Sequence, residues 1–176
     1  MFHKPRGCVV TRSDEHSRRT VFDLLPAWVH EQGWQPVGRL DMDTRGLLLF
    51  VNDGKLQEQL SRPGVHRKVY EVWVRGRVTP EHAAQLLAGV DTPAGRLRAA
   101  TIELRGGAGG KSRVLVTLDE GRNRQIRRMF SALKDETSRA LKVTDLKRTS
   151  FGPVQLDIQS GQWRWLTEAE QTALDA

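Results

Sequence analysis

Residues 66–75 read His66-Arg67-Lys68-Val69-Tyr70-Glu71-Val72-Trp73-Val74-Arg75. The stretch alternates with period two: Tyr70, Val72 and Val74 share one face, and Val69, Glu71 and Trp73 share the other, which is the pattern of a β-strand. Tyr70 therefore sits among apolar neighbours. Downstream, Thr79-Pro80-Glu81 opens a helix whose apolar stripe is Ala83, Leu86 and Leu87. Asp91 to Leu104 reads as a hairpin turning at Pro93-Ala94-Gly95, and Gly106 to Gly110 reads as a flexible connector. A strand at Arg113 to Leu118, a helix from about Asn123 to Leu133 and a strand at Leu141 to Ser150 follow. The tail closes with a short strand near Trp163 to Leu166 and a helix capped by Thr167.

Upstream, Lys4 to Thr11 is expected to be a strand, Arg12 to Arg19 a loop, and Thr20 the cap of a short helical stretch at Val21 to Leu25. Gln35 to Asp43 is irregular. Gly46 to Val51 is a continuous apolar strand ending in the turn Asn52-Asp53-Gly54, and Lys55 to Ser61 is a short helix. Strands outnumber helices and hairpins outnumber crossovers. The expected class is α+β with a largely antiparallel or mixed sheet and flanking helices, not a doubly wound parallel sheet.

The chain has 176 residues, room for one domain or for two small lobes sharing a core. Its 28 Lys+Arg against 21 Asp+Glu give a formal charge of +7, and 21 of the cations are arginine, the residue that grips phosphates and stacks on bases. This leans toward a nucleic-acid partner, although base composition of the gene explains arginine usage about as well. Cys8 is the single cysteine, so no disulfide within the chain and no cysteine-based metal site is expected. No apolar run nears the roughly 20 residues that span a bilayer, and no secretory leader is evident, so the expected location is the cytoplasm.

Two stretches are candidates for chemistry. In Glu120-Gly121-Arg122-Asn123-Arg124-Gln125-Ile126-Arg127-Arg128, spacing at about 100° per residue puts Ile126, Met129, Phe130 and Leu133 on one side and Arg124, Arg127 and Arg128 on the other. With Arg122, four guanidinium groups gather near a helix N-terminus, which suits phosphate better than a merely solvated face. In Gly38-Arg39-Leu40-Asp41-Met42-Asp43-Thr44-Arg45-Gly46-Leu47-Leu48-Leu49, a polar acidic loop runs into an apolar strand. Physical chemistry leaves Asp41, Asp43 and Asp53 open as the functional carboxylate, with Asp43 and Asp53 also good turn formers. The five histidines are scattered without metal-ligand spacing, and no Gly-x-Ser-x-Gly anchor occurs.

At these residues the chain resembles a known family. Gly38-Arg39-Leu40-Asp41-x-x-Thr44-x-Gly46-Leu47-Leu48 followed by Asn52-Asp53-Gly54 resembles the signature of the RsuA-type pseudouridine synthases, which isomerise uridine in ribosomal RNA. Lys4-Pro5-x-Gly7, Arg67-Lys68-Val69-Tyr70-x-Val72, Glu120 to Met129, and Val143-x-x-Leu146-x-Arg148 with Gly152 resemble the family's further motifs in order. Gly161-Gln162-Trp163-Arg164 resembles its usual ending.

The resemblance implies one catalytic domain over 1–176, with two lobes sharing a central cleft. Many members also carry an N-terminal RNA-binding domain of the S4 type, which this chain is expected to lack. It selects Asp41 as the carboxylate that breaks the N-glycosidic bond, as a nucleophile or by elimination through a glycal. It makes Arg127 the ion-pair partner of Asp41 and Tyr70 the residue that stacks on the target base and assists proton transfer. Leu146 closes the other side of the base, and Arg39 fills the gap left in the RNA. Arg67, Lys68, Arg122, Arg124, Arg128 and Arg148 are the expected RNA-binding cations. No cofactor or metal is implied, because the base never leaves the pocket and the carboxylate supplies the chemistry. Some members have histidine where this chain has Arg124. The arginine form and the missing S4 domain resemble the short branch that acts on 23S rRNA, with 16S rRNA as the alternative substrate. The expected partner is rRNA, free or in a ribosome assembly intermediate, with the protein a monomer that engages no membrane. The rivals are a non-catalytic RNA-binding or ribosome-assembly module and a metal-dependent nuclease.

Overall fold

The computed structural model describes residues 1–175. In chain order the elements are strand β1 (Phe2–Lys4), a 3-10 turn (Val21–Leu24), helix α1 (Ala27–Glu31), β2 (Gln35–Pro36), β3 (Arg45–Leu48), β4 (Phe50–Val51), α2 (Gly54–Ser61), β5 (Lys68–Arg75) and α3 (Pro80–Ala88). There follow β6 (Val90–Thr92), β7 (Gly95–Leu97), β8 (Thr101–Ala108), β9 (Lys111–Leu118), α4 (Gln125–Ser131), β10 (Lys142–Phe151), β11 (Val154–Gln155) and α5 (Glu168–Asp175). The class is α+β, as expected, and the ladders β1–β3, β2–β4, β5–β9, β6–β7, β8–β9 and β10–β11 are all antiparallel. The chain divides into two compact units, Met1–His66 with the chain from Arg148 onward, and Arg67–Lys147.

In the first unit, β1 lies on β3 with Phe2 opposite Leu48, His3 opposite Leu47 and Lys4 opposite Gly46. The core gathers Met1, Val37, Leu47, Leu49, Leu60, Phe151, Val154 and Leu174. The opening strand is thus Phe2–Lys4 and not Lys4 to Thr11. Pro5 has no N–H to give a ladder, and Gly7 turns the chain at φ +87°, so the later residues reach only an isolated bridge between Val9 and Thr20. The apolar run at 46–51 is likewise two short strands. Val37 N–H donates to the Leu49 carbonyl (2.8 Å), and Phe50 and Val51 pair with Pro36 and Gln35 instead of continuing β3.

Gly46 has φ +120°, and a Cβ there would strike the backbone of Arg148 on β10, so this glycine is needed for both its conformation and its lack of a side chain. Asp53 caps α2, its carboxylate accepting from the backbone of Lys55 (2.8 Å) and Leu56 (3.1 Å), which is the turn-forming role read from Asn-Asp-Gly. The tail holds an isolated bridge between Phe2 and Trp163 where a short strand was expected. Its order comes from Arg164, which grips Asp157 (2.8 and 3.1 Å) and Glu170 (2.8 and 2.7 Å) in two forks.

The second unit orders its strands β10, β5, β9, β8, with residues 142–147 of β10 belonging here. The alternation of 68–75 is realised as read: Lys68, Tyr70, Val72 and Val74 are buried, and Val69, Glu71 and Trp73 are half-buried. The glycine-rich segment 106–110 is not a connector. It forms the end of the β8–β9 hairpin, with a register shift between Leu104 and Gly107, where a Cβ on Gly107 would meet the Lys111 carbonyl. The hairpin turning at Pro93-Ala94 is present as β6 and β7, but it ends at Leu97, and Thr101 begins the strand paired to β9. Thr79 caps α3, accepting from His82 N–H (3.3 Å). Helix α4 is shorter than the stretch 123–133, yet Ile126, Met129, Phe130 and Leu133 are buried as the wheel required.

Two expectations follow. Gly46→Ala should lower unfolding free energy in urea by about 2–4 kcal/mol, because strain and overpacking act together at one buried position. The Arg164 guanidinium holds the Glu170 carboxyl at about 2, below its ordinary 4.5. That contribution is complete above pH 4.5 and lost as pH falls toward 2. Thermal melts across this window should show an acid loss of about 1–2 kcal/mol that Arg164→Gln largely removes.

Candidate functional site

The first unit carries Arg39, Asp41 and Arg148. Gly38 turns the chain at φ +69°, Arg39 projects to solvent and Leu40 packs inward. Asp41-Met42-Asp43-Thr44 then closes a turn in which Thr44 N–H donates to the Asp41 carbonyl (3.0 Å). The N-terminal segment clamps this turn. The Lys4 ammonium, wholly buried, donates to the carbonyls of Asp41 (3.0 Å), Thr44 (2.7 Å) and Pro5 (3.1 Å), and Gly7 N–H donates to the Met42 carbonyl (2.9 Å). Three of the turn's four carbonyls are therefore held by residues 4 and 7, and the half-buried Asp41 side chain stands on a fixed backbone.

Burial pushes the Lys4 ammonium below the usual lysine range, and the charges of Asp41 and Asp43 act against that shift. Burial raises the Cys8 thiol, which keeps it protonated and unreactive. Arg148 is buried. Its Nε donates to the Leu47 carbonyl (2.8 Å) and its guanidinium lies 5.6 Å from the Phe151 ring centroid, so much of it is spent on tying β10 to β3. Arg148 Nη2 and Thr44 Oγ1 are buried without a hydrogen-bond partner in the protein, unusual polar atoms of the kind that water or a ligand satisfies. Among the described residues, no group of three or more His, Cys, Asp and Glu side chains is placed to hold a metal ion.

The second unit carries the remaining residues. Tyr70 is buried on β5 opposite Val116, between Lys68 and Val72 on the same face. Arg67 pairs with Asp119 at 2.9 Å, with both side chains largely exposed. Leu146 is buried on β10, and Arg127 Nη1 donates to the Val143 carbonyl (3.3 Å) on the same strand. Arg122 donates to the Ala94 carbonyl (2.7 Å), and Arg128 to the Asn123 carbonyl (3.0 Å) and side chain (3.1 Å). These acceptors are neutral, so the hydrogen bonds aim the guanidinium groups without cancelling their charge. Arg124 precedes α4 in the left-handed region at φ +50°, an uncommon conformation for a residue with a side chain.

Two supporting residues escaped the sequence reading. Lys4 was visible only within a motif, since nothing in Phe2-His3-Lys4-Pro5 marks a lysine as wholly buried. Gln125, also buried, accepts from Arg122 N–H (3.1 Å) and donates to the Arg98 carbonyl (3.1 Å) and Glu120 (3.1 Å), thereby fixing the loop that carries the arginines. Its only signal was a polar residue on the apolar side of the wheel.

Comparison with known proteins places these features. Residues 1–132 match the model of the family described as RNA pseudouridylate synthase, a span that includes the Asp41 turn, Tyr70 and the Arg122–Arg128 segment. A Vibrio cholerae protein named ribosomal large subunit pseudouridine synthase B is 39% identical over 167 residues, covering 94% of this chain and 50% of that protein. A Yersinia pestis protein of the same name is 42% identical over 144 residues, covering 81% of this chain and 45% of that protein. The chain spans about half the length of these curated relatives. A crystal structure of a pseudouridylate synthase superposes with TM-score 0.82 at 29% identity, over 98% of this chain and 71% of that one. The archaeal box H/ACA sRNP Nop10-Cbf5 complex, at 18% identity and TM-score 0.60, shares the fold. Because the family model covers the greater part of the sequence and the fold agrees along nearly all of it, this chain belongs to the RNA pseudouridylate synthase family.

Proposed function

We propose that this chain isomerises uridine to pseudouridine in ribosomal RNA, at a site in 23S rRNA, with the Asp41 carboxylate as catalyst. The observation that carries the reading is the Asp41 turn, where the aspartate matching the family's catalytic motif stands on a backbone clamped by Lys4 and Gly7. Catalysis by a single carboxylate demands such positioning, since small misplacements cost orders of magnitude in rate. The name that the large-subunit relatives share supports 23S rRNA as the substrate.

The reaction needs no outside reactant. The C1′–N1 bond of the uridine breaks as Asp41 attacks C1′ or takes the C2′ proton in elimination, and the uracil turns. A C1′–C5 bond then forms as the Asp41–C1′ bond breaks or the C2′ proton returns, the C5 proton leaves and N1 gains a proton. In this reading Tyr70 stacks on the base and assists proton movement at carbon, while Leu146 closes its other face. Arg127 pairs with Asp41, and Arg39 fills the place vacated in the RNA. Arg67, Lys68, Arg122, Arg124, Arg128 and Arg148 serve the RNA backbone. Arg122 and Arg128 suit that role because they are oriented by neutral acceptors, and the exposed Arg67–Asp119 pair is weak enough for a phosphate to displace. The protein acts as a monomer in the cytoplasm, on free rRNA or an assembly intermediate.

Asp41→Asn should abolish pseudouridine formation on a 23S rRNA transcript, read by carbodiimide labelling and primer extension, while RNA affinity stays within about twofold. Turnover by this variant would sink the assignment. A wild-type protein that binds the RNA and modifies nothing would favour the non-catalytic module. Lys4→Met should lower kcat by about 10²-fold with little change in KM, because the Asp41 turn loses its clamp while the RNA-binding cations remain. Denaturant unfolding of the same variant should show a loss of about 2–4 kcal/mol from the carbonyls left unsatisfied.

A further inference from the structure

Four of the five tryptophans gather in the first unit. Trp28 comes from α1, Trp34 from the segment after it, and Trp163 and Trp165 from the tail. Trp28 and Trp165 lie nearly parallel, 15° apart with centroids at 5.7 Å, and Trp34 and Trp163 meet them edge-on at 5.4–6.2 Å. With Phe50, Asn52 and Gln171 these indoles line a cavity of about 260 Å³. The platform is prebuilt: Arg164, between Trp163 and Trp165, is locked by Asp157 and Glu170, and its backbone N–H donates to the Met1 carbonyl (2.9 Å). Yet Trp165 remains 58% exposed and Trp163 36% exposed, an apolar surface that the fold itself does not need.

Two features narrow the occupant. The walls are flat aromatic faces. The Arg12 guanidinium is anchored beside the cavity through the carbonyls of Trp34 (2.9 Å) and His30 (2.8 Å) and lies over the Phe22 ring at 5.3 Å, so it is oriented by neutral groups and keeps its charge. An aliphatic side chain of a protein partner would fill the walls but would not answer the cation. A nucleotide answers both, with a stacking face and a phosphate. The cavity volume falls below the roughly 300–1,000 Å³ of sites for drug-sized molecules and fits a single base better than a larger ligand.

We propose that this cavity is a second RNA contact, holding one unpaired nucleobase against Trp165, with Arg12 meeting an adjacent phosphate. The proposal rests on the reading of the chain as an enzyme acting on RNA, and it adds a subsite that acts in capture of the RNA rather than in the reaction.

The test uses the full chain with Trp73→Phe, so that every remaining tryptophan reports on the cluster. Titration with a single-stranded hexa-adenylate should quench the intrinsic fluorescence. Trp165→Ala should weaken that binding by about tenfold or more, Trp165→Phe should retain most of it, and Arg12→Gln should reduce it further at low salt than at high salt. Pseudouridine formation on 23S rRNA is measured in parallel. Absent quenching, or equal affinity in Trp165→Ala, overturns the proposal even if pseudouridine forms. Quenching that responds to Trp165 supports the subsite even if no pseudouridine forms, in which case the enzymatic reading alone fails. Capture of protein without response to hexa-adenylate assigns the cavity to a protein partner and overturns the proposal.

Discussion

The Lys4 ammonium is the fixed point of the first unit. It is wholly buried, and its three donors are matched to three carbonyls, two of them in the Asp41 turn. A buried charge is tolerated only when so satisfied, which makes the contact intolerant of substitution and gives the turn a single geometry. Because Lys4 lies opposite Gly46 in the β1–β3 ladder, and Gly46 leaves room for the Arg148 backbone, the same few residues couple the turn to β1, β3 and β10. A catalytic carboxylate placed on this turn inherits the rigidity of a strand while remaining on a loop.

The second unit solves a different problem, that of holding several like charges close together. Arg122 and Arg128 each donate to a carbonyl, and the buried Gln125 braces the loop before α4. Hydrogen bonds to neutral acceptors fix direction at little cost in net charge. Arg12 beside the tryptophan cavity follows the same arrangement. The +7 of the whole chain therefore says less than the handful of arginines whose orientation the fold sets.

Local patterns were legible in the sequence where one physical preference acts alone. The alternation at 68–75, the turn at Asp53, the cap at Thr79 and the apolar arc of α4 all appear as read. Failures came where distant segments decide. Residues 46–51 look like one strand until the Val37–Leu49 hydrogen bond diverts the chain, and Gly106–Gly110 looks like a linker until Gly107 is seen to admit the Lys111 carbonyl. The tryptophan cluster joins residues 28 and 34 to 163 and 165, a proximity with no periodic signature. Composition and spacing left three aspartates open. Resemblance to family motifs selected Asp41.

Carbon–carbon bond formation at C5 must expel the hydrogen that uridine carries there, and binding alone leaves it in place. The most direct measurement is release of tritium to water from 23S rRNA labelled at C5 of uridine, incubated with the wild-type chain alone. Release over successive turnovers, confined to one uridine position, is the predicted result. Stable RNA binding with all tritium retained would contradict it.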